Sequence, residues 1–592
     1  MRELIQLWIK ALKQEISQLL MQALKRLREQ RALTIEEPET VHLEPARDLR
    51  HGDFASNIAL VLAKPARMPP QELAQAIVAA LPESPVLTRA EVAGPGFINF
   101  HLAPGAFLAV IEHILTQGDR FGCSQTGAGA RVLIEFVSAN PTGPLHVGHG
   151  RGAAYGAALA NLLAEAGYRV EREYYVNDGG RQMDILALSV WLRYLELGGE
   201  PIEFPSNGYR GEYVNAIASG LRAEWGNAYT ASAKELGAVA ADSDPETRLD
   251  ALIQQARALL GESRFRAVHE YGLKKVLDEI KGDLAGFGVV YDRWFSERQL
   301  IESDALMKAA DRLKESGHLY RRDGAWWFNA SAFGDEKDRV VIRENGQPTY
   351  FASDIAYHMN KLERGFSVLV NIWGADHHGY ISRLRGVLQA MGTDPKRLQC
   401  LLVQFVSLYR GEERVPMSTR AGEFVTLREL YQEVGVDATR FFYLMRRCEQ
   451  HLDFDLELAK SHSADNPVYY VQYAHARVCS VMRQLAEKGY SWSQSMGNDQ
   501  LELLTEAEEK SLLKRLSHYP DLVNAAALGR EPHQIAQYLR ELASDFHAYY
   551  NVHPFIVPSD RLRNARLNLI LATQQVLKNG LRVLGVSAPQ RM

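Results

Sequence analysis

Residues 131–176 set the tightest limit on what this chain can fold into. Residues 132–137 form a short, nearly continuous apolar run, the pattern of a strand buried in a parallel sheet. A Pro/Gly turn follows, Asn140-Pro141-Thr142-Gly143-Pro144. Residues 152–166 are rich in Ala and Leu and stop at Gly167, which predicts a helix with a glycine terminator. Residues 169–176 predict a second strand. Strand, helix, strand at these lengths is a βαβ unit, the start of a doubly wound α/β sheet. Such sheets take ligands at the C-terminal edge of their strands. The turn after the first strand is therefore where chemistry is expected.

The 592 residues supply more than one core, and five segments separate by pattern. Residues 1–115 predict a small N-terminal α/β domain, closed by a Gly-rich connection at 118–129. Residues 116–190 hold the first half of the Rossmann-like core, and 191–280 a charged helical insertion. Residues 281–424 predict its second half, with strands at 340–343, 349–351, 367–373 and 401–407 and a helix from Asp354. From Val425 to the end an all-α C-terminal domain is predicted.

Composition excludes several classes. Four cysteines, Cys123, Cys400, Cys448 and Cys479, are far apart and form no CxxC pair, which argues against a disulfide framework or a structural zinc. The Leu-rich N-terminus is broken by Arg2, Glu3, Lys10, Lys13 and Glu15, unlike a signal peptide. No run of about 18 apolar residues occurs, so neither a membrane span nor a membrane partner is expected, and the reading is cytoplasmic. The net charge of −5 leaves nucleic-acid binding to local patches.

The string from Glu135 to Gly150 puts His146 and His149 at the junction of strand end and helix start. A helix N-terminus offers free N–H groups and a positive dipole end to phosphate. Two histidines three apart can share a face and donate to a triphosphate, and Gly148 and Gly150 leave room for a nucleotide. A bare HxxH is more often a cap or core pair, and its spacing does not match the zinc-protease motif. Glu135 stands in an otherwise apolar strand, where an unpaired charge is costly. Asp354 is read equally as a helix cap or as a ligand.

His146-Val147-Gly148-His149 resembles the HIGH signature of class I aminoacyl-tRNA synthetases, and 138–152 with Asn140-Pro141-Thr142-Gly143 resembles the arginyl family. Gly52-Asp53-Phe54-Ala55-Ser56-Asn57 and 94–100 resemble that family's tRNA-elbow domain. Tyr175-Val176-Asn177-Asp178-Gly179-Gly180 and Trp373-Gly374-Ala375-Asp376-His377-His378-Gly379-Tyr380 resemble two active-site loops. Asp437-Ala438-Thr439-Arg440 is a one-residue variant of the family's Asp-Ala-Leu-Arg string, and 470–477 resemble its anticodon-side helix. The second signature, KMSKS, corresponds to Pro416-Met417-Ser418-Thr419-Arg420, where Pro416 and Thr419 replace both lysines. Arg420, with Arg414, is expected to supply the missing charge.

The resemblance implies ATP-dependent activation of L-arginine and its transfer to tRNA(Arg), by a monomer, with magnesium arriving on ATP, no structural metal and no DNA partner. It places ATP on Pro141, Gly143, His146, Gly148, His149, Gly374, Asp376, His377 and Met417. Arginine falls to Glu135, Ser138, Asn140, His149, Tyr350, Asp354 and His377. His146, His149, Ser418 and Arg420 would carry catalysis. Arg440, Arg446, Arg447, Tyr470, Tyr473 and Arg477 would meet tRNA. The alternative is a catalytically silent tRNA-binding paralogue.

Overall fold

The computed structural model describes residues 4–30, 38, 41–45, 52–103, 105–236, 244–415 and 424–592. At its centre are five parallel strands: β1 (Arg131–Phe136), β2 (Arg169–Val176), β3 (Arg293–Ser296), β4 (Val368–Gly374) and β5 (Leu398–Val403). Their order is 3-2-1-4-5, so the topology reverses between β1 and β4. The crevice outside the C-terminal ends of those two strands is the binding position of an open α/β sheet. Residues 132–136 are all buried, as their apolar run demands. Four helices cover the sheet: α1 (Val147–Glu165), α2 (Arg181–Leu197), α3 (Tyr350–Glu363) and α4 (Ile381–Ala390).

Helices Glu212–Trp225, Pro245–Leu260 and Glu262–Gly286 form the insertion between β2 and β3, packed on α2. The N-terminal unit is a four-stranded antiparallel sheet with helices Leu4–Glu29, Ile58–Ala66 and Pro70–Ala80. Long helices, among them Pro467–Glu487, His533–Val552 and Asp560–Leu584, build the C-terminal part.

Four expectations change. The strand expected at 349–351 is the N-cap and first turn of α3, with Thr349 tied back to the preceding strand by its Oγ1, which donates to the Val340 carbonyl at 2.9 Å. The strand at 340–343 belongs to a separate antiparallel sheet, Leu319–Arg322, Ala325–Phe328 and Arg339–Ile342. The run at 401–407 splits between β5 and Val406–Arg410, which sits in another sheet. Val406–Arg410 pairs in parallel with Leu452–Asp455, so a strand interrupts the helical tail expected from Val425.

One face of α1 is fastened to the C-terminal half. Val147, Arg151 and Tyr155 recur every four residues and so line one side of the helix. Tyr443 donates its hydroxyl to the Val147 carbonyl at 2.8 Å, and Tyr155 donates to the Arg530 carbonyl at 2.8 Å.

The Asp437-Ala438-Thr439-Arg440 string forms a second fastening. Arg440 is 1% exposed and donates to the carbonyls of Leu584, Phe287 and Gly288. Asp437 accepts from the Ser587 backbone N–H at 3.0 Å and from the Gln472 amide at 2.8 Å. Arg440, expected at the tRNA, is thus an internal clasp on the end of the last helix and presents no charge to a phosphate.

Candidate active site

The backbone after β1 is strained where the crevice opens. Val137 has φ +67° and Ser138 φ +41°, and the Ser138 N–H donates to the Phe136 carbonyl at 3.0 Å. That is a γ-turn of the rare hand, centred on a β-branched residue. Such strain persists only where the surroundings enforce it. Ser138 Oγ does so, donating to Glu135 Oε1 at 3.2 Å and accepting from the Tyr175 N–H at 3.1 Å. Asn140 then emerges exposed, its amide donating to Gln182 and its carbonyl oxygen accepting from Asn177.

The two histidines of HVGH cap α1. His146 Nδ1 accepts from the N–H groups of Gly148 at 3.0 Å and His149 at 3.4 Å, while His149 Nδ1 accepts from the His146 N–H at 3.3 Å. The rings stack with centroids 3.6 Å apart. A backbone N–H can only donate, so both Nδ1 atoms are acceptors and each neutral ring carries its proton on Nε2. Burial lowers the pKa of His146; burial and then the neighbouring His146 lower that of His149. The cap reading of HxxH is met by Nδ1, which holds the helix, while Nε2–H is left as a neutral donor. Gly148 tolerates no side chain, since a Cβ there would lie 2.9 Å from the His146 ring.

Across the crevice, β4 ends in the loop 375–380, with Gly374, Asp376 and His377 exposed. A Cβ on Gly374 would sit 2.5 Å from Asp376 Oδ1. Pro141 is buried, and Gly143 lies against the Tyr213 hydroxyl. Met417, Ser418 and Arg420 lie outside the described residues, and Arg414 is exposed in the short strand Glu413–Arg414.

At the C-terminal end of β1 is a cluster of acids, Glu135 with Asp354 and Glu297. Glu135 is 5% exposed, but its charge is already matched: the Lys361 ammonium, fully buried, lies 2.6 Å from Glu135 Oε2 and 3.0 Å from Asn371 Oδ1. The cost expected for an unpaired Glu135 is thus met from within the protein, and its position alone does not call for a substrate cation. Asp354 and Glu297 differ, since neither forms an ion pair among the described residues. Asp354 accepts a hydrogen bond from the Tyr380 hydroxyl. Burial, with the nearby charges of Glu135 and Glu297, raises its pKa to about 7. Glu297 is 4% exposed and bonded only to neutral groups, the hydroxyls of Tyr175 and Ser353, and burial raises its pKa. Sequence reading missed Glu297, Lys361, Tyr175 and Tyr380 as individual contributors. Tyr350 stands 66% exposed at the head of α3, one turn from Asp354.

Asp354 and Glu297, lacking an ion-pair partner among the described residues, have the chemistry to meet a cation, and the Nε2–H groups of His146 and His149 have the chemistry to meet an anion. No group of three or more His, Cys, Asp or Glu side chains is arranged to hold a metal ion among the described residues.

The other expected tRNA contacts divide. Arg446 and Arg447 are exposed. On helix Pro467–Glu487, Tyr469 and Tyr473 stack at 5.7 Å, and Arg477 lies between the rings of Tyr473 and Tyr550. Tyr470 packs on His547. Tyr549, Arg563 and Arg566 are buried, Arg566 against Glu509 at 3.0 Å, and belong to the core of the bundle.

Comparison with known proteins agrees with this layout. Residues 8–102 match the model of the arginyl tRNA synthetase N terminal domain, and 110–196 with 287–448 match the class I (R) tRNA synthetase catalytic domain. Residues 471–592 match the DALR anticodon binding domain. The chain is 58% identical over 586 residues to an arginine–tRNA ligase of Thioalkalivibrio sulfidiphilus, covering 98% of this chain and all of that one. It is 57% identical to one of Halorhodospira halophila, with 98% and 100% covered. The fold of Thermus thermophilus arginyl-tRNA synthetase superposes with a TM-score of 0.72 at 24% identity, covering 98% of this chain and all of that one. With relatives this similar over nearly its whole length, the chain belongs to the arginyl-tRNA synthetase family.

Proposed function

We propose the following division of labour for an arginine–tRNA ligase built on this crevice. The observation that carries it is the pair Asp354 and Glu297, close to each other and to Glu135 of β1 and without an ion-pair partner among the described residues. A guanidinium has five N–H donors in a planar fork and can bridge two carboxylates. Asp354 and Glu297 supply the charge that the paired Glu135 does not. Glu135 with Ser138 shapes the wall, Tyr350 closes the mouth, and Asn140 holds the α-amino group. His377 borders the site from the β4 loop.

Mg·ATP enters over Pro141, Gly143 and Gly148, with Gly374 and Asp376 on its ribose side. The arginine carboxylate attacks the α-phosphorus and pyrophosphate leaves. His146 and His149 donate through Nε2–H to the charge that builds on the phosphates, and being neutral they need no proton exchange with solvent. Met417, Ser418 and Arg420 close on the triphosphate. The arginyl group then passes to a ribose hydroxyl of the terminal adenosine of tRNA(Arg). No covalent enzyme intermediate is needed, so the rate comes from positioning and electrostatics. Arg446 and Arg447 meet phosphates of the acceptor side, Tyr470, Tyr473 and Arg477 the anticodon side, and the N-terminal unit the elbow. The chain works as a monomer, in the domains expected at 1–115, 116–190, 191–280, 281–424 and 425–592.

ATP–pyrophosphate exchange, run with each amino acid in the presence of tRNA, tests the assignment. Arginine alone should support exchange. D354N and E297Q should each raise the KM for arginine roughly a hundredfold, as removal of one partner of a buried charge pair does. The KM for ATP should stay within about threefold. Wild-type arginine affinity in both variants would overturn the pocket, and no exchange by the wild type would favour the silent paralogue.

A further inference from the structure

Arg151 lies two residues beyond the HVGH string, is fully buried, and faces no carboxylate among the described residues. Burial depresses its pKa, with no anion to offset the cost. An apolar side chain of similar volume would fill the space with less penalty. Its interactions show what the charge is doing. Nη1 donates to the carbonyls of Gln404 at 3.0 Å and Gln450 at 2.7 Å, and Nη2 donates to the carbonyl of Arg447 at 2.8 Å. The Cys448 carbonyl accepts from the Gln404 N–H at 2.8 Å. Three carbonyls of the 446–450 loop are thus held from beneath. Meanwhile the side chains of Arg446, Arg447 and Gln450 are exposed and line a cleft of about 950 Å³, whose acids Asp521 and Glu541 are paired with Lys13 and Arg515.

The other end of this grip is the active site. His149 and Arg151 share the first turns of α1, and the Tyr443 hydroxyl holds the Val147 carbonyl from the helix that leads into the same loop. Gln404 links β5 to Val406–Arg410, the strand that pairs with Leu452–Asp455. One guanidinium therefore joins the loop, the histidine helix and the end of β5.

We propose that Arg151 is a positioning residue that makes the 446–450 loop and the start of α1 one mechanical unit, so that sugar–phosphate backbone seated in the cleft sets the placement of His149. The inference rests on the tRNA reading above and adds the route by which tRNA contact reaches the catalytic histidines. Such a route is a coupling between two sites and is measured as one.

Hydrogen–deuterium exchange on the full chain, with and without a tRNA(Arg) transcript, tests it. In the wild type, tRNA should slow exchange in peptides covering both 446–450 and 145–152. In R151M, tRNA should still protect 446–450 with a Kd within about threefold of wild type, yet protection of 145–152 should be lost. Arginine-dependent pyrophosphate exchange at saturating tRNA should fall at least tenfold. R151K, which reaches fewer of the carbonyls, should restore part of both. Retained protection of 145–152 in R151M would reduce Arg151 to a structural bolt and overturn the proposal. Should R151M not fold, absence of protection at 145–152 in the wild type overturns it equally. A wild-type chain that binds no tRNA would instead fail the functional reading.

Discussion

In the pocket proposed for arginine, the protonation state of Asp354 sets how a guanidinium is met. Its carboxyl titrates near pH 7 because it is buried beside Glu135 and Glu297, with Lys361 committed to Glu135 and only hydroxyls from Tyr380 and Tyr175 nearby. A guanidinium pairs with the ionised form, so arginine must displace a proton below that pH. The KM for arginine should therefore rise about tenfold from pH 8 to pH 6, one decade for the unit below the pKa. In D354N the profile should be flat over the same range, and an unchanged slope there would refute the assignment. The stability effect has the opposite sense. Between about pH 4 and 7 the folded chain binds more protons than the unfolded one at this residue, so the free protein loses stability as pH rises. Burial holds His146 and His149 below the usual imidazole range, so both favour the neutral form. At this scale the sequence was informative where neighbours in the chain are neighbours in space. HVGH could be read as a unit because its donors and acceptors are three residues apart. Lys361 lies 226 positions from Glu135, and nothing local marks the pair.

The Asp437–Arg440 element shows how a recognisable string can be assigned the wrong partner. Its pattern places the helix correctly, since Val436–Leu444 is helical, but whether an arginine on it faces water or carbonyls depends on the last helix, some 144 residues on. The three-residue run at 349–351 fails for a related reason: so short an apolar stretch fits a strand or a helix start, and here it is the helix start. Core strands β1 and β4 were legible because burial on both faces imposes a nearly continuous apolar run, whereas β2, with Arg169, Glu171, Arg172 and Glu173 in its first half, was legible from its place after the helix and Gly167. β3 was not, its four residues Arg293–Ser296 being too few and too mixed. The clasp makes a direct prediction. Gly585 ends the last helix at φ +67°, and a Cβ there would lie 2.3 Å from Arg440 Nη2. G585A should both strain the cap and eject the guanidinium, leaving buried carbonyls unpaired at a cost of about 1–3 kcal/mol each. R440M should cost a similar amount through the same carbonyls. Urea unfolding followed through the helical domain should show an earlier midpoint for both, and a wild-type midpoint for either would show that Arg440 does not hold the helix end.

Across the whole molecule, ion pairs tie the N-terminal unit and the core to the C-terminal helices: Lys514 to Asp53 at 2.8 Å, Lys13 to Asp521 at 3.1 Å, and Arg582 to Glu165 at 2.6 Å. Asp53 belongs to the string that resembled an elbow-binding motif, yet it is buried and turned toward the helical bundle. Asp53 therefore helps to set where the N-terminal unit sits. A chain with net charge −5 that binds a polyanion must do so through few cations, because its overall field repels. Most arginines at the domain junctions are spent internally, as Arg151, Arg440 and Arg566 show. Arg446 and Arg447 are exposed beside the cleft, and Arg447 has only loose pairs with Glu449 at 3.8 Å and Glu531 at 3.4 Å. Each phosphate contact should contribute about 0.7–0.9 to the slope of log Kd against log salt. Replacing both arginines by Ala should lower the slope for tRNA(Arg) by roughly 1.5 and weaken binding most at low salt. Fluorescence titration from about 50 to 200 mM salt reads both quantities. A double variant that binds with the wild-type slope would place the phosphate contacts elsewhere, and the cleft would then be a gap between domains with no part in binding.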